Sequence, residues 1–123
     1  GGDNPELSSK FSLGQPVLVP GDMGTASWVL AGPVKGGNDA FSSSCHGAGR
    51  RLSRTAARKS VDSESLIADL ESRGVHVRAK TPNVLSEEAP DAYKNVDEVI
   101  SLTNQAGLAR PVARLRPISV IKG

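Results

Sequence analysis

The sequence predicts an α+β fold, a single domain with a mixed sheet and three helices, and three observations carry that prediction. Val17-Leu18-Val19 and Ser27-Trp28-Val29-Leu30-Ala31 are short apolar runs bounded by glycine and proline, the length of buried strands. Two later segments carry helix caps and apolar faces of helical period. Between and after them the chain returns to strand-like stretches, a mixture that suits one α+β unit.

In chain order, residues 1–14 hold Asp-Asn-Pro and Ser-Ser without a sustained period and read as an irregular arm, expected to be a cut end; residues 15–123 form the domain. The turn Pro20-Gly21-Asp22-Met23-Gly24 joins the first two strands. Gly32 to Asp39 is a turn signal leading into a third strand around Ala40 to Ser44. His46-Gly47-Ala48-Gly49 follows, ahead of a helix expected over Arg50 to Lys59, with Leu52 and Ala56 one turn apart. A second helix fits Glu64 to Arg73, capped by Asp62 or Ser63, with Leu66, Ile67 and Leu70 on its apolar face and Gly74 as its stop. Val75 to Ala79 alternates as a half-buried strand. The third helix is marked by the Asn95 and Glu98 capping spacing, by Val96, Val99, Ile100 and Thr103 on one face, and by Gly107 at its end. Val112 to Ile121 is strand-like on both sides of Pro117, which predicts an edge or a bulge there.

Composition narrows the function classes. Thirteen glycines, eight prolines and only four aromatic residues describe a turn-rich chain with few large core side chains, so part of its core is expected from polypeptide outside the sequence. The net charge is +2, yet Arg50, Arg51, Arg54, Arg58 and Lys59 cluster, and local charge of that kind points to an anionic partner. One cysteine excludes an internal disulfide. No apolar run reaches the roughly 18 residues that span a bilayer, and the first residues lack a signal peptide's regions, so no membrane partner and a cytoplasmic setting are expected.

The strongest chemical signal is Ser44-Cys45-His46-Gly47-Ala48-Gly49-Arg50, with Arg54 beyond it. A helix starting near Ala48 would turn its free N–H groups and positive dipole end toward the loop, and bare glycine backbone lets a phosphate approach. Arg50 and Arg54, four apart, would then share a face, and guanidinium forks hold phosphate oxygens. A neutral imidazole there could attack an activated phosphorus. The bland alternatives stand beside this. A histidine next to a glycine loop is more often structural or exposed, and an arginine run is commonly a solvated helix face. Cys45 with His46 cannot close a tetrahedral metal shell without two further partners, so Cys45 reads as a small wall residue, and His76 in its alternating strand has no expected chemical role. Pro20 to Ser27 lacks the lysine and spacing of a P-loop, and a tight strand connection is its simplest reading. Lys122 at the end of an apolar strand usually just solvates a terminus.

Four motifs in order, Gln15-Pro16-Val17-Leu18-Val19-Pro20-Gly21-Asp22-Met23-Gly24-Thr25-Ala26-Ser27, Ser44 to Arg50, Glu88-Ala89-Pro90-Asp91-Ala92-Tyr93-Lys94, and Val112 to Pro117 with the final Val120-Ile121-Lys122-Gly123, resemble the C-terminal segment of the RtcB family of RNA-splicing ligases. The resemblance runs from about Gly14 to Gly123. It implies part of the larger RtcB-type fold and an RNA ligase that uses GTP and manganese(II) to join a 3′-phosphate or 2′,3′-cyclic phosphate end to a 5′-hydroxyl, as in tRNA splicing and RNA repair. His46 falls on the family's nucleophilic histidine, which becomes guanylylated. By the same resemblance Asp22, Ser27, Ala48, Gly49, Tyr93 and Lys122 join His46 in the guanylate site, and Arg50 and Arg54 contact phosphate or RNA. Position 22 is a serine in such members, and an aspartate there would repel a phosphate. The manganese ligands of the family precede this segment, so none is expected in this chain. RNA and GTP are the implied partners, and the need for a helper protein stays open. The competing reading is a non-catalytic nucleotide- or RNA-binding remnant that lacks the metal site.

Overall fold

A computed structural model describes residues 6, 10–34 and 43–123. Within them the chain runs β1 (Pro16–Val19), β2 (Ser27–Ala31), α1 (Arg54–Ser60), α2 (Ser63–Ser72), β3 (His76–Ala79), α3 (Pro82–Glu87), a 3-10 turn (Pro90–Ala92), α4 (Val96–Gln105), β4 (Arg110–Leu115) and β5 (Ser119–Lys122). The α+β class holds, and the antiparallel and parallel pairings fall in two separate sheets. One has the order β1-β2-β4, antiparallel throughout; the other pairs β3 with β5 in parallel.

β1 and β2 form a hairpin in which Leu18 faces Val29 and Val19 faces Trp28. Its connection is held from within. The Oδ1 atom of Asp22 accepts from the backbone N–H groups of Gly24 and Thr25, both at 2.9 Å, and Ser27 Oγ accepts from Gly21 N–H at 3.2 Å. Gly21 has no room for a side chain, because a Cβ there would lie 1.9 Å from the Ala26 carbonyl oxygen.

Two helices stand where their caps predict. Asp62 accepts from Ser65 N–H at 2.9 Å to start α2, which ends ahead of Gly74 at φ 80°. Asn95 caps α4, and the donor it accepts from is the N–H of Asp97, at 2.9 Å. Val96, Ile100 and Thr103 of α4 are buried.

Three expectations need correction. The helix expected over Arg50 to Lys59 begins only at Arg54, where Ser53 caps it by accepting from Ala56 N–H at 3.1 Å. Gly49 takes φ 78° and Arg50 bridges to Tyr93, so neither can belong to a right-handed helix. Of the third strand expected around Ala40 to Ser44, residues 40–42 lie outside the described residues, and Ser43 and Ser44 have no strand pairing. Pro117 marks neither an edge position nor a bulge. It lies in the link between β4 and β5, which belong to different sheets; the slip in pairing is between Val29 and Leu30 instead. The six-residue α3, opened by Pro82 and buried at Leu85 and Ser86, was not expected.

Two apolar groups hold these elements together. Val19, Leu30, Ala48, Val96, Ile100 and Ala109 form one, between the three-stranded sheet and α4; Met23, Leu70, Val75, Leu85 and Val120 form the other. Asp97 ties α4 to the sheet by accepting from Trp28 Nε1 at 2.8 Å and from Arg114 Nη2 at 2.9 Å. Those bonds hold the Asp97 carboxyl below the usual carboxylate range, with Arg114 the leading cause.

Candidate active site

Residues 45–49 form a loop whose flanks face inward and whose histidine faces out. Cys45 packs against the first apolar group with its Sγ 3.4 Å from Thr103 Oγ1, the wall position expected of it. Ala48 is 6% exposed and belongs to that same group. His46, between these two anchors, is exposed. Because Ala48 belongs to one apolar group and Cys45 packs against that same group, the imidazole stands on a held loop rather than a free one.

The loop is also pinned to a segment more than forty residues away. The Gly49 carbonyl accepts from Lys94 N–H at 2.9 Å, and the Ala92 carbonyl accepts from Arg51 N–H at 2.9 Å and Leu52 N–H at 3.2 Å. These bonds flank an antiparallel bridge between Arg50 and Tyr93. Among the described residues, the N–H groups of Gly47, Ala48 and Gly49 are not among the donors that hold the loop. Their direction comes from the loop itself, since His46 is not at a helix N-terminus as expected.

Arg50 is spent on this clamp. Its Nε donates to the Leu52 carbonyl at 3.1 Å, its Nη2 to the Glu87 carbonyl, and its Nη1 to Tyr93 Oη at 3.0 Å and Glu88 Oε1 at 3.3 Å. The guanidinium also lies 4.9 Å from the centre of the Tyr93 ring. Tyr93 in turn donates its hydroxyl to Glu88 Oε2. Burial, and then the bond to the Glu88 carboxylate, pushes the Tyr93 phenol above its ordinary value, because both disfavour the phenolate.

The neighbouring arginines meet the same two carboxylates. Arg58 pairs with Glu87, and Arg54, two-thirds exposed, lies 3.8 Å from Glu87 and from Glu88. Arg50 and Arg54 therefore share counter-ions rather than a helical face. Three guanidinium groups against two carboxylates leave a net positive charge, and Arg54 is the member open to a further anion. Glu87 and Glu88 were not foreseen as counter-ions, and the adjacent carboxylates ahead of Ala89-Pro90 were the signal that could have suggested them.

The glycine turn after β1 joins this assembly. The backbone of Gly47 abuts Pro20, where an added Cβ would sit 3.4 Å from the Pro20 carbonyl oxygen. Gly24 lies against Pro90 so closely that a Cβ would come within 2.7 Å of the proline ring. Asp22 and Ser27 are the two side chains that shape the turn, as described above, so one oxygen of Asp22 is already committed to backbone donors. Lys122, half-buried at the end of β5, has an ammonium without a hydrogen-bond or ion-pair partner among the described residues. Two residues before it, Val120 packs with Met23 of the glycine turn. His76 is exposed at the start of β3, apart from these groups.

Thus three segments far apart in sequence, 20–27, 46–50 and 88–94, touch one another, at Pro20 and Gly47, at Gly24 and Pro90 and at Arg50 and Tyr93, and a fourth shares an apolar group with the first through Val120 and Met23. The same four stretches lie inside a match to the family described as tRNA-splicing ligase RtcB, which covers residues 3–123. The chain belongs to the RtcB family. Among RtcB relatives, the tRNA-splicing ligase of Pyrococcus abyssi is 53% identical over 111 residues, covering 90% of this chain and 12% of that protein. That of Thermococcus kodakarensis is also 53% identical, over 90% of this chain and 23% of its own length. The RNA-splicing ligase RtcB of Mycobacterium tuberculosis is 54% identical over 119 residues, 96% of this chain and 27% of its own. The chain therefore spans between about an eighth and a quarter of these RtcB relatives. Among the described residues no three histidine, cysteine, aspartate or glutamate side chains come together as a metal set, and none of the helices is long and apolar enough to cross a membrane.

Proposed function

We propose that residues 15–123 are the guanylate-accepting part of an RtcB-type RNA ligase and that His46 carries the guanylate. One observation supports the reading: three loops distant in sequence are fastened together, and the exposed His46 lies in one of them, next to the contact of Gly47 with Pro20. Neutral imidazole attacks the α-phosphorus of GTP. A nitrogen–phosphorus bond forms, the bond to the bridging oxygen breaks, pyrophosphate leaves with the electron pair, and the imidazole sheds its proton to solvent. The guanylate then passes to an RNA 3′-phosphate, and a 5′-hydroxyl displaces GMP to close the RNA strand.

Around that centre each residue has a stated part. The N–H groups of Ala48 and Gly49 donate to guanylate phosphate oxygens, and Ser27, Tyr93 and the Lys122 ammonium line the guanosine. Arg54 receives phosphate, while Arg50 acts mainly by clamping the loop to Tyr93. Asp22 serves by shaping the turn that presents Ser27. Manganese is a requirement carried over from the resemblance, and because the described residues do not form a set that would hold it, no step is assigned to it in this chain.

The test is labelling with GTP radioactive at the α-phosphate, using a ligase that contains this segment. The expected product is a protein adduct lost in acid and stable in base, as a phosphoramidate is, and absent from His46→Ala. A His46→Ala protein that labels like the parent overturns the assignment, and a segment that binds GTP or RNA without ever labelling favours a non-catalytic binding role.

A further inference from the structure

Arg73 closes α2 and belongs to none of the segments 20–27, 46–50 and 88–94. Its Nη2 donates to Asp69 Oδ2 at 2.7 Å, one helical turn back, a surface pair of the kind that contributes little by itself. Its Nη1 makes a contact that such a pair does not need, for it leaves the helix and donates to the Gly24 carbonyl at 3.2 Å, 49 positions earlier in the chain. That carbonyl shares one planar peptide unit with the Thr25 N–H, which donates to Asp22 Oδ1 at 2.9 Å, so the unit is held at both ends. The apolar side of the same turn sits on the same helix, because Met23 and Leu70 share the second apolar group.

Gly24 is also where this turn meets the 3-10 turn that leads to Tyr93. A Cβ on Gly24 would lie 2.7 Å from Pro90 Cγ, 3.0 Å from Arg73 Nη2 and 3.4 Å from Leu70 Cδ2, so three elements close on one α-carbon. From that point the chain is held in both directions. On one side Ala26 is buried and Ser27 Oγ accepts from Gly21 N–H at 3.2 Å; on the other, Tyr93 N–H donates back to the Pro90 carbonyl at 3.0 Å.

We infer that Arg73 is a positioning residue for the guanosine pocket: by holding the Gly24 peptide against Pro90 it sets the spacing of Ser27 and Tyr93, and with it the fit of a nucleoside between them. The inference rests on the roles proposed above for those two side chains. The Arg73 side chain is 47% exposed, so its truncation opens no hole in the core and leaves the fold standing. What it releases is the carbonyl end of the Gly24 peptide, and the cost falls on nucleotide binding.

The experiment compares Arg73→Ala and Arg73→Lys with the parent in a complete ligase that contains this segment. Equilibrium binding is measured with guanosine 5′-(α,β-methylene)triphosphate, whose carbon bridge prevents transfer to histidine, and labelling is followed against GTP concentration. Arg73→Ala is expected to raise both the Kd and the half-saturating GTP about three- to tenfold, the size of one net hydrogen bond. Labelling at saturation should stay within about twofold of the parent, since the reacting groups are untouched. Arg73→Lys keeps a cationic donor and should recover part of the loss. Combined with Ser27→Ala, Arg73→Ala should cost less than the product of the two single losses, because both act on one wall of the pocket. A residue that only stabilised the fold would lower the amount of competent protein, and so the labelling at saturation, without moving the Kd. That result overturns the inference, as does an unchanged Kd or a full product of losses in the double variant. A parent that binds the analogue but never labels contradicts the role given to His46, and the Kd ratio still decides on Arg73; a parent that does not bind overturns both.

Discussion

Replacing Arg50 by alanine tests the clamp that holds the His46 loop. The substitution removes the donors to the Leu52 and Glu87 carbonyls and to Tyr93 Oη, and it leaves the Glu88 carboxylate without its nearest cation. Exposed ion pairs contribute about 0–1 kcal/mol, whereas breaking a buried pair by deleting one partner costs about 3–5 kcal/mol. The Arg50 and Glu88 side chains are 25% and 21% exposed, which puts the pair nearer the buried limit. The expected loss is about 2–4 kcal/mol, including the contact with the Tyr93 ring. Arg50→Lys keeps the charge but not the planar fork, and should fall between alanine and the parent. Urea unfolding followed by Trp28, the sole tryptophan, measures it, with an unchanged denaturant slope showing that the unfolded state is the same. A change within about 0.5 kcal/mol for Arg50→Ala, the size of an ordinary surface substitution, would refute the clamp.

Tyr93 is the sole tyrosine, so ultraviolet absorbance at alkaline pH titrates it directly, and Glu88→Gln should bring its raised value back toward the ordinary one. Because the folded value lies above the unfolded one, the associated stability is fully present below the unfolded pKa near 10 and is lost as pH rises through the folded value; an unchanged titration in Glu88→Gln would show that burial alone sets it. Lys122→Ala in a complete ligase should weaken GTP use and narrow its preference over ATP by about 1–3 kcal/mol, the worth of a charged hydrogen bond to guanine. Equal labelling ratios with the two nucleotides in mutant and parent would return Lys122 to a solvated terminal charge.

Legibility in the sequence followed the range of the interactions. α2 and α4 could be read because their caps, apolar faces and glycine stops all lie within one short window, Asp62 to Gly74 and Asn95 to Gly107. The start of α1 could not, since Gly49 at positive φ and the pairing of Arg50 with Tyr93 depend on chain forty residues downstream. The division into two sheets is likewise set by the pairing of β3 with β5, which no local pattern encodes. α3 has no side-chain cap bond and is six residues long, too short for its period to show. At the site, the order of the motifs singled out His46, and its exposure agrees with a group meant to meet a ligand. The arginine cluster was legible as charge but not as charge already met by Glu87 and Glu88, because ion pairs across 29 to 38 positions leave no trace in spacing. Asp22 read as a misfit in a phosphate site, and its bonds to Gly24 and Thr25 give it a structural reason to be there.

The central claim is that one particular histidine carries the guanylate, and locating the adduct tests it most directly. The chain has two histidines, and trypsin separates them, placing His46 in peptide 36–50 and His76 in peptide 74–78. After reaction of the complete ligase with GTP and digestion under basic conditions, the mass of a guanylate is expected on peptide 36–50 and on no other. Guanylate on peptide 74–78, or only on a peptide outside this segment, would contradict the account.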